Sequence, residues 1–212
     1  MKNVLKKHGA LWTQRSFWEA VVIGVLLLIA SLAMNYWANT YVTAHASNSV
    51  TDIILDNIPT INVNFVFSEG ALAFSMIILL VLFYEPKRIP FGLKAVALFV
   101  FIRSIFITLT HLAPPLNGSY QDPTDLLYKI SSGDDLFFSA HTGLPFMFAL
   151  MFWDHKYLKY FFLVCTLVGG TAVLLGHLHY SIDVFSALFI AFGIFYMAKE
   201  LFRKDYELFV AK

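Results

Sequence analysis

Apolar runs of about twenty residues recur along this chain, and a helix of that length crosses a hydrocarbon core of roughly 30 Å. Inside lipid no water satisfies backbone amides and carbonyls, so each run must bond within itself as a helix. Of the residues, 58% are apolar and 14% charged, whereas soluble domains carry about 25% charge. Six spans are predicted, at about 17–38, 65–84, 92–113, 138–153, 158–176 and 180–202. The predicted fold is an all-α integral membrane protein, a six-transmembrane-helix bundle in a single domain over 1–212. Lys2, Lys6, Lys7 and Arg15 precede a first run too long for a signal-peptide core, which reads as an uncleaved span.

The connections at about 39–64 and 114–137 are long enough to fold as caps rather than plain loops. Pro114-Pro115 and Asn117-Gly118 stop the third run and turn the chain. Basic residues gather on one side: Lys87, Arg88, Lys94, Lys156, Lys159, Lys199, Arg203, Lys204 and Lys212 join the N-terminal group. On the other side Lys129 stands alone among Asp52, Asp56, Asp122, Asp125, Asp134 and Asp135. The positive-inside rule then predicts both termini in the cytoplasm. A formal net charge of +1 gives no basis for a nucleic-acid partner. Cys165, the one cysteine, lies within an apolar run, which excludes an intramolecular disulfide and a zinc-type cysteine cluster.

A polar group inside a span costs roughly 2.5–3.5 kcal/mol on insertion scales, so each such group needs a reason. His179 and Asp183, four residues apart at the mouth of the last run, share one helix face. A carboxylate there holds the imidazole in one tautomer and stabilises its charged form. His141 opens the fourth run two residues after Ser139, and the loop charges put all three at the extracytoplasmic mouth. His141, His179 and Asp183 are therefore the predicted catalytic set. Arg103, in the middle of the third span, either packs against Glu69 or an aspartate, or presents its planar fork to a phosphate. Thr110 and His111 are expected on about the same helical face as Arg103. Glu69 could be a site carboxylate, the partner of Arg103, or an interfacial residue. Ser139 lacks the Gly-x-Ser-x-Gly setting of serine hydrolases and suits a phosphate oxygen at a helix start. His8, His45 and His155 fall in exposed connections, and His177 points to a different helical face from His179. His141, His179 and Asp183 could supply three zinc ligands. The His-x-x-x-Asp pair is already complete as an oriented nucleophile or base, so no metal and no other cofactor is predicted. A transporter with an ion relay of Arg, Glu, His and Asp is the alternative from another class.

The segment Asp135-Leu136-Phe137-Phe138-Ser139-Ala140-His141-Thr142 resembles the Asp-x-x-x-Ser-Gly-His-Thr motif of sphingomyelin synthases. His179-Tyr180-Ser181-Ile182-Asp183-Val184 resembles their His-Tyr-Thr-Ile-Asp-Val motif, and Arg103 with Thr108 to Pro114 is similar to their arginine-bearing third span. The resemblance covers about 100–190 and implies a type-2 phosphatidic acid phosphatase-like fold with a His/His/Asp site. The wider superfamily's Lys-x6-Arg-Pro motif is absent, and Ala172 and Val173 stand where its Ser-Arg would precede His179. Ala140 replaces Gly and Ser181 replaces Thr relative to the synthases. A compact, bacterial-type member without a preceding regulatory domain is the expectation.

The resemblance implies transfer of a phosphoryl headgroup from a glycerophospholipid to a lipid alcohol such as ceramide. His179 acts as nucleophile or general base, His141 as acid and base, Arg103 and Ser139 hold phosphate, and Glu69, Asp135 and His111 are supporting candidates. Fewer phosphate-gripping arginines suit a phosphodiester, which carries less charge than a monoester. A lipid phosphatase or phospholipase C-type phosphodiesterase using water is the alternative in the same site. The partners expected are membrane lipids: a glycerophospholipid donor and a ceramide or diacylglycerol-type acceptor. Self-association into a homo-oligomer is left open. Tyr120, Tyr128 and Tyr180 could cage a quaternary ammonium group or serve as interface anchors.

Overall fold

The computed structural model describes residues 2–116, 118 and 136–211. Among them all regular structure is helical: α1 (Lys2–Trp12), α2 (Arg15–His45), α3 (Gly70–Tyr84), α4 (Ile89–Leu109), α5 (Ala140–Met151), α6 (Lys156–Leu175), α7 (Ser181–Leu201) and α8 (Arg203–Val210). A π-helical turn at Phe65–Glu69 leads into α3, and a 3-10 turn at Pro86–Arg88 leads into α4.

Five helical segments are long and apolar enough to cross a membrane: Arg15–His45, Phe65–Tyr84, Pro86–Leu109, Lys156–Leu175 and Ser181–Leu201. The predicted fourth span is not confirmed among the described residues. Its helix, α5, has 12 residues, about 18 Å at 1.5 Å per residue, well short of a roughly 30 Å core. It starts late because Phe137 and Phe138 take left-handed φ values of 93° and 34°, which a right-handed helix cannot contain. It stops at Phe152, where a turn leads straight into α6. The third span is shifted too. It begins at Pro86 and ends at Leu109, because Thr110 is already extended at φ −123° and ψ 133°.

Lipid tails are as apolar as leucine, so helices in a membrane associate by close packing rather than by a hydrophobic drive. Glycines and phenylalanine edges do that work here. A Cβ at Gly24 of α2 would lie 2.9 Å from Leu93 Cβ of α4, and one at Gly143 of α5 would lie 2.9 Å from the Phe99 ring. Around α5 run tilted and edge-to-face rings, the favoured aromatic geometry: Phe74–Phe148 at 5.9 Å, Phe148–Phe162 at 5.5 Å and Phe152–Phe209 at 5.3 Å. Helix α8 closes one end of the bundle with buried Phe209 and the 2.6 Å ion pair Lys94–Asp205.

The other end, where α4 finishes and α5 and α7 begin, is covered by residues 46–64. Backbone bonds tie this cap down: Ser47 N–H donates to His111 O (2.7 Å) and Ile61 N–H to Leu175 O (2.8 Å). Asp52 accepts the Ser181 N–H at 2.7 Å, satisfying a free amide in the first turn of α7.

Candidate active site

Two helix starts meet beneath this cap. The Ser139 N–H, just ahead of α5, donates to the Asp183 carbonyl in the first turn of α7 at 3.0 Å. Gly169-Gly170 of α6 makes the approach feasible. A Cβ at Gly169 would lie 2.3 Å from the His141 carbonyl oxygen, and one at Gly170 would lie 3.2 Å from Val184 Cγ1 and 3.3 Å from Thr142 Oγ1. Pro145 lies inside α5 and has no N–H to offer the His141 carbonyl four residues back; that carbonyl lies against the bare Gly169.

His179 Nδ1 lies 3.3 Å from Asp183 Oδ2, which also accepts the Tyr180 N–H at 3.1 Å. His179 is 5% exposed and Asp183 fully buried. An ionised carboxylate only accepts, so the pair puts the imidazole proton on Nδ1 and leaves Nε2 as the basic nitrogen. His141, two residues beyond Ser139, stacks on Phe67 with ring centroids 4.0 Å apart and an interplanar angle of 24°. Phe67 sits on the π-helical turn, a local distortion frequent at functional sites. Arg103 is 5% exposed and donates from Nε to the Phe138 carbonyl at 3.2 Å. The two left-handed phenylalanines thus turn that carbonyl toward Arg103 and deliver Ser139 to the start of α5. Ser139 Oγ, Thr142 Oγ1 and Asp183 Oδ1 are buried with no hydrogen-bond partner among the described residues. Buried polar atoms are normally paired, so three such atoms at one junction mark a place built for a polar ligand.

The remaining candidates are placed differently. Glu69 is exposed on the π-helical turn and forms no ion pair with Arg103 among the described residues. His111 does not share a helical face with Arg103, because α4 ends at Leu109; it is exposed beside Tyr41 and His45, with ring centroids 5.6 and 5.8 Å away. Asp135, Tyr120 and Tyr128 lie outside the described residues. Tyr180 is no cage wall: it is 1% exposed, and its hydroxyl donates to Ala113 O at 2.9 Å and accepts from Val50 N at 3.1 Å. His177 is buried in a left-handed turn (φ 49°), with Nδ1 3.3 Å from Thr60 Oγ1. His8 belongs to α1 and meets the Phe83 carbonyl at 2.8 Å. Ala172 and Val173 are buried with Val63, Leu178 and Val184 in an apolar cluster. Among the described residues no group of three or more His, Cys, Asp or Glu side chains is arranged to hold a metal.

Two features escaped the sequence reasoning. Gly169-Gly170 had a signal, since adjacent small residues inside a span mark close helix contact. Asp52 had almost none, because its target, Ser181, is 129 residues away. Burial pushes the Asp52 carboxyl upward, but the amides of Ser181, Ile54 and Leu55 outweigh it and hold the pKa below the usual carboxylate value.

The fold and site define a class: an all-helical integral membrane protein with a buried histidine–aspartate pair at a helix start, roofed by a loop. Residues 133–200 match the family described as PAP2 superfamily C-terminal, a segment that contains His141, His179 and Asp183 but not Arg103. The match supports the type-2 phosphatidic acid phosphatase superfamily, whose members are generally lipid phosphatases or phosphotransferases. No curated protein and no solved structure matches the chain.

Proposed function

We propose that this protein is a lipid phosphotransferase that moves a phosphoryl headgroup from a glycerophospholipid to a lipid alcohol such as ceramide. The observation that carries it is the junction of the two helix starts, where a buried His179–Asp183 pair, the His141-bearing turn and unpartnered Ser139 Oγ converge. His179 Nε2 attacks phosphorus, the bond to the diacylglycerol oxygen breaks, and His141 gives that oxygen a proton. The acceptor hydroxyl then attacks the phosphohistidine, His141 takes the hydroxyl proton, and the nitrogen–phosphorus bond breaks. Asp183 stabilises the imidazolium character that His179 gains in each step. Covalent catalysis divides one hard displacement into two easier ones, and a positioned acid is typically worth about 10²–10⁴-fold. Arg103, Ser139 and the first amides of α5 favour the anionic phosphoryl oxygens.

Transfer is favoured over monoester hydrolysis by Ala172 and Val173, whose apolar packing leaves no cation at that position to balance a dianion. The basic residues gathered near Arg88 and Lys94, remote from the site, support an extracytoplasmic site with cytoplasmic termini. The test uses purified protein and a phospholipid labelled in its phosphate, with ceramide, diacylglycerol or water as acceptor. A labelled new lipid is the expected product. Release of labelled water-soluble headgroup alone, with lipid alcohol present, would replace transfer by hydrolysis in the same site.

A further inference from the structure

At the end of the bundle remote from the His–Asp pair, a cleft of about 990 Å³ lies between α1, the turn before α4, the turn between α5 and α6, and the end of α8. Its charged and titratable lining is Lys7, Glu85, Lys87, Arg88, Asp154 and His155. Among the described residues only Lys7 and Glu85 of this lining are matched as an ion pair. Lys7 pairs with Glu85 at 2.6 Å, and Lys87 Nζ donates to the Ala211 carbonyl. Arg88 has no carboxylate in contact among the described residues: Glu85 acts on it only through space and is already paired with Lys7. Arg88 is 5% exposed, its guanidinium lies over the rings of Phe152 and Phe209 at 4.7 and 5.2 Å, and Nη2 donates to His155 Nε2. Nε has no hydrogen-bond partner, and no carboxylate lies within ion-pair distance among the described residues. His155 supplies no counter-charge, since an imidazole is neutral or cationic, and burial with the neighbouring guanidinium holds its pKa below the ordinary value.

A buried cation with no anion in contact is unfavourable, and one distant carboxylate shared with Lys7 offsets that only in part. A guanidinium fork fits phosphate oxygens. A second observation fixes the source of that phosphate. An apolar trough of about 340 Å³ shares Glu85, Arg88 and His155 with the cleft and continues along the bundle between Ile77 and Val81 of α3 and Leu158 of α6. A free anion has no use for such a trough, whereas an acyl chain does. We infer that this end of the protein binds an anionic phospholipid, its phosphate on Arg88 and Lys87 and one acyl chain in the trough between α3 and α6. The site is separate from the proposed reaction and does not depend on it.

The full chain, purified in detergent, is given phosphatidylglycerol, phosphatidylcholine or inorganic phosphate, with lipid retention read by native mass spectrometry and stability by thermal unfolding. Phosphatidylglycerol is expected to be retained and to raise the Tm, at least tenfold more effectively than phosphatidylcholine. Arg88→Met should weaken that retention at least tenfold. Val81→Trp, which fills the trough and spares the cations, should weaken it several-fold. Should Arg88→Met not fold, Lys87→Ala reads the headgroup contact instead, with a several-fold loss expected. Equal retention by wild type and the headgroup and trough variants, or equal retention of both lipids, overturns the proposal. The same Tm gain from inorganic phosphate alone assigns the cleft to a free anion and overturns the lipid.

Discussion

The two ends of the bundle each bury an arginine from the α4 region, and they hold it differently. Arg88 and Arg103 stand about 22 Å apart along the helix axis, at 1.5 Å per residue. Arg103 meets a carbonyl at a helix start, in company with buried polar atoms that lack partners. Arg88 sits between phenylalanine rings and His155, and close by Lys94 and Asp205 neutralise each other. The site end keeps polar capacity in reserve, as a centre that must meet developing charge requires. The opposite end sets Lys7 and Lys94 in ion pairs, as a structural closure does, and leaves Arg88 without one among the described residues. Substitutions at the two ends should therefore fail in different ways, the first in chemistry and the second in stability.

The largest effect belongs to the site end. His179→Ala should lower headgroup turnover by about 10³-fold or more while the protein still folds, and Asp183→Asn by about 10²–10⁴-fold. Brief exposure to labelled phospholipid should leave acid-labile phosphate on wild type and none on His179→Ala. Label persisting on His179→Ala would remove His179 as the nucleophile, and near-normal turnover in both variants would remove the pair from the reaction.

At the opposite end the expected loss is of stability. Asp205→Ala strands Lys94, which is 7% exposed, and breaking a buried pair from one side costs about 3–5 kcal/mol. Replacing both partners, Lys94→Met with Asp205→Leu, should recover most of that loss and retain turnover. Unfolding in detergent checks the first statement and the transfer assay the second. A double variant no more stable than Asp205→Ala would mean that the pair does more than neutralise itself.

Gly169→Val probes the site end through its scaffold. A Cβ there would lie 2.3 Å from the His141 carbonyl, so α5 or α6 must move, and a displacement of about 1 Å at a reacting group costs about 10² in rate. Gly193→Ala in α7 is the control, since nothing lies within 4 Å of its added Cβ, and alanine is the better helix former by about 1 kcal/mol. Turnover that survives Gly169→Val would show that His141 tolerates movement and does not hold the proton in transfer.

What the sequence could say divides along the same line. Five of the six expected spans followed from run length, the third of them displaced toward Pro86, because lipid leaves the backbone no choice but helix. The His179–Asp183 contact was legible, but not its geometry: His179 precedes Tyr180, the N-cap of α7, and meets Asp183 through the capping turn rather than across a helix face. The entry to the short α5 did not follow, because Phe137 and Phe138 carry no sign of the left-handed backbone they adopt, a conformation rare outside glycine. Nor did the burial of Arg88, which reads in sequence as a solvated loop cation and is enclosed by Phe152 and by Phe209 of the last helix. Local chemistry was legible; contacts between distant segments were not.

Asp52 is the smallest test and links the cap to the site. Its folded pKa is lowered from an unfolded value near 3.9. Its contribution is therefore complete above about pH 4 and is lost as pH falls through the folded value. At neutral pH Asp52→Asn should lose about 1.5 kcal/mol, the worth of hydrogen bonds to a charged acceptor. Hydrogen exchange at the amides of Ile54, Leu55 and Ser181 should accelerate about tenfold in consequence. Turnover should fall only a few-fold, because the Tyr180 hydroxyl still ties the start of α7 to the cap and to Ala113. In wild type the same amides should lose protection as pH falls below about 4 and through the lowered folded value, after correction for intrinsic rates, and in Asp52→Asn they should show no such step. A step of equal size in both would place the acid-sensitive group elsewhere, with Asp56 the nearest candidate, since its Oδ2 accepts the Asp52 N–H at 3.2 Å.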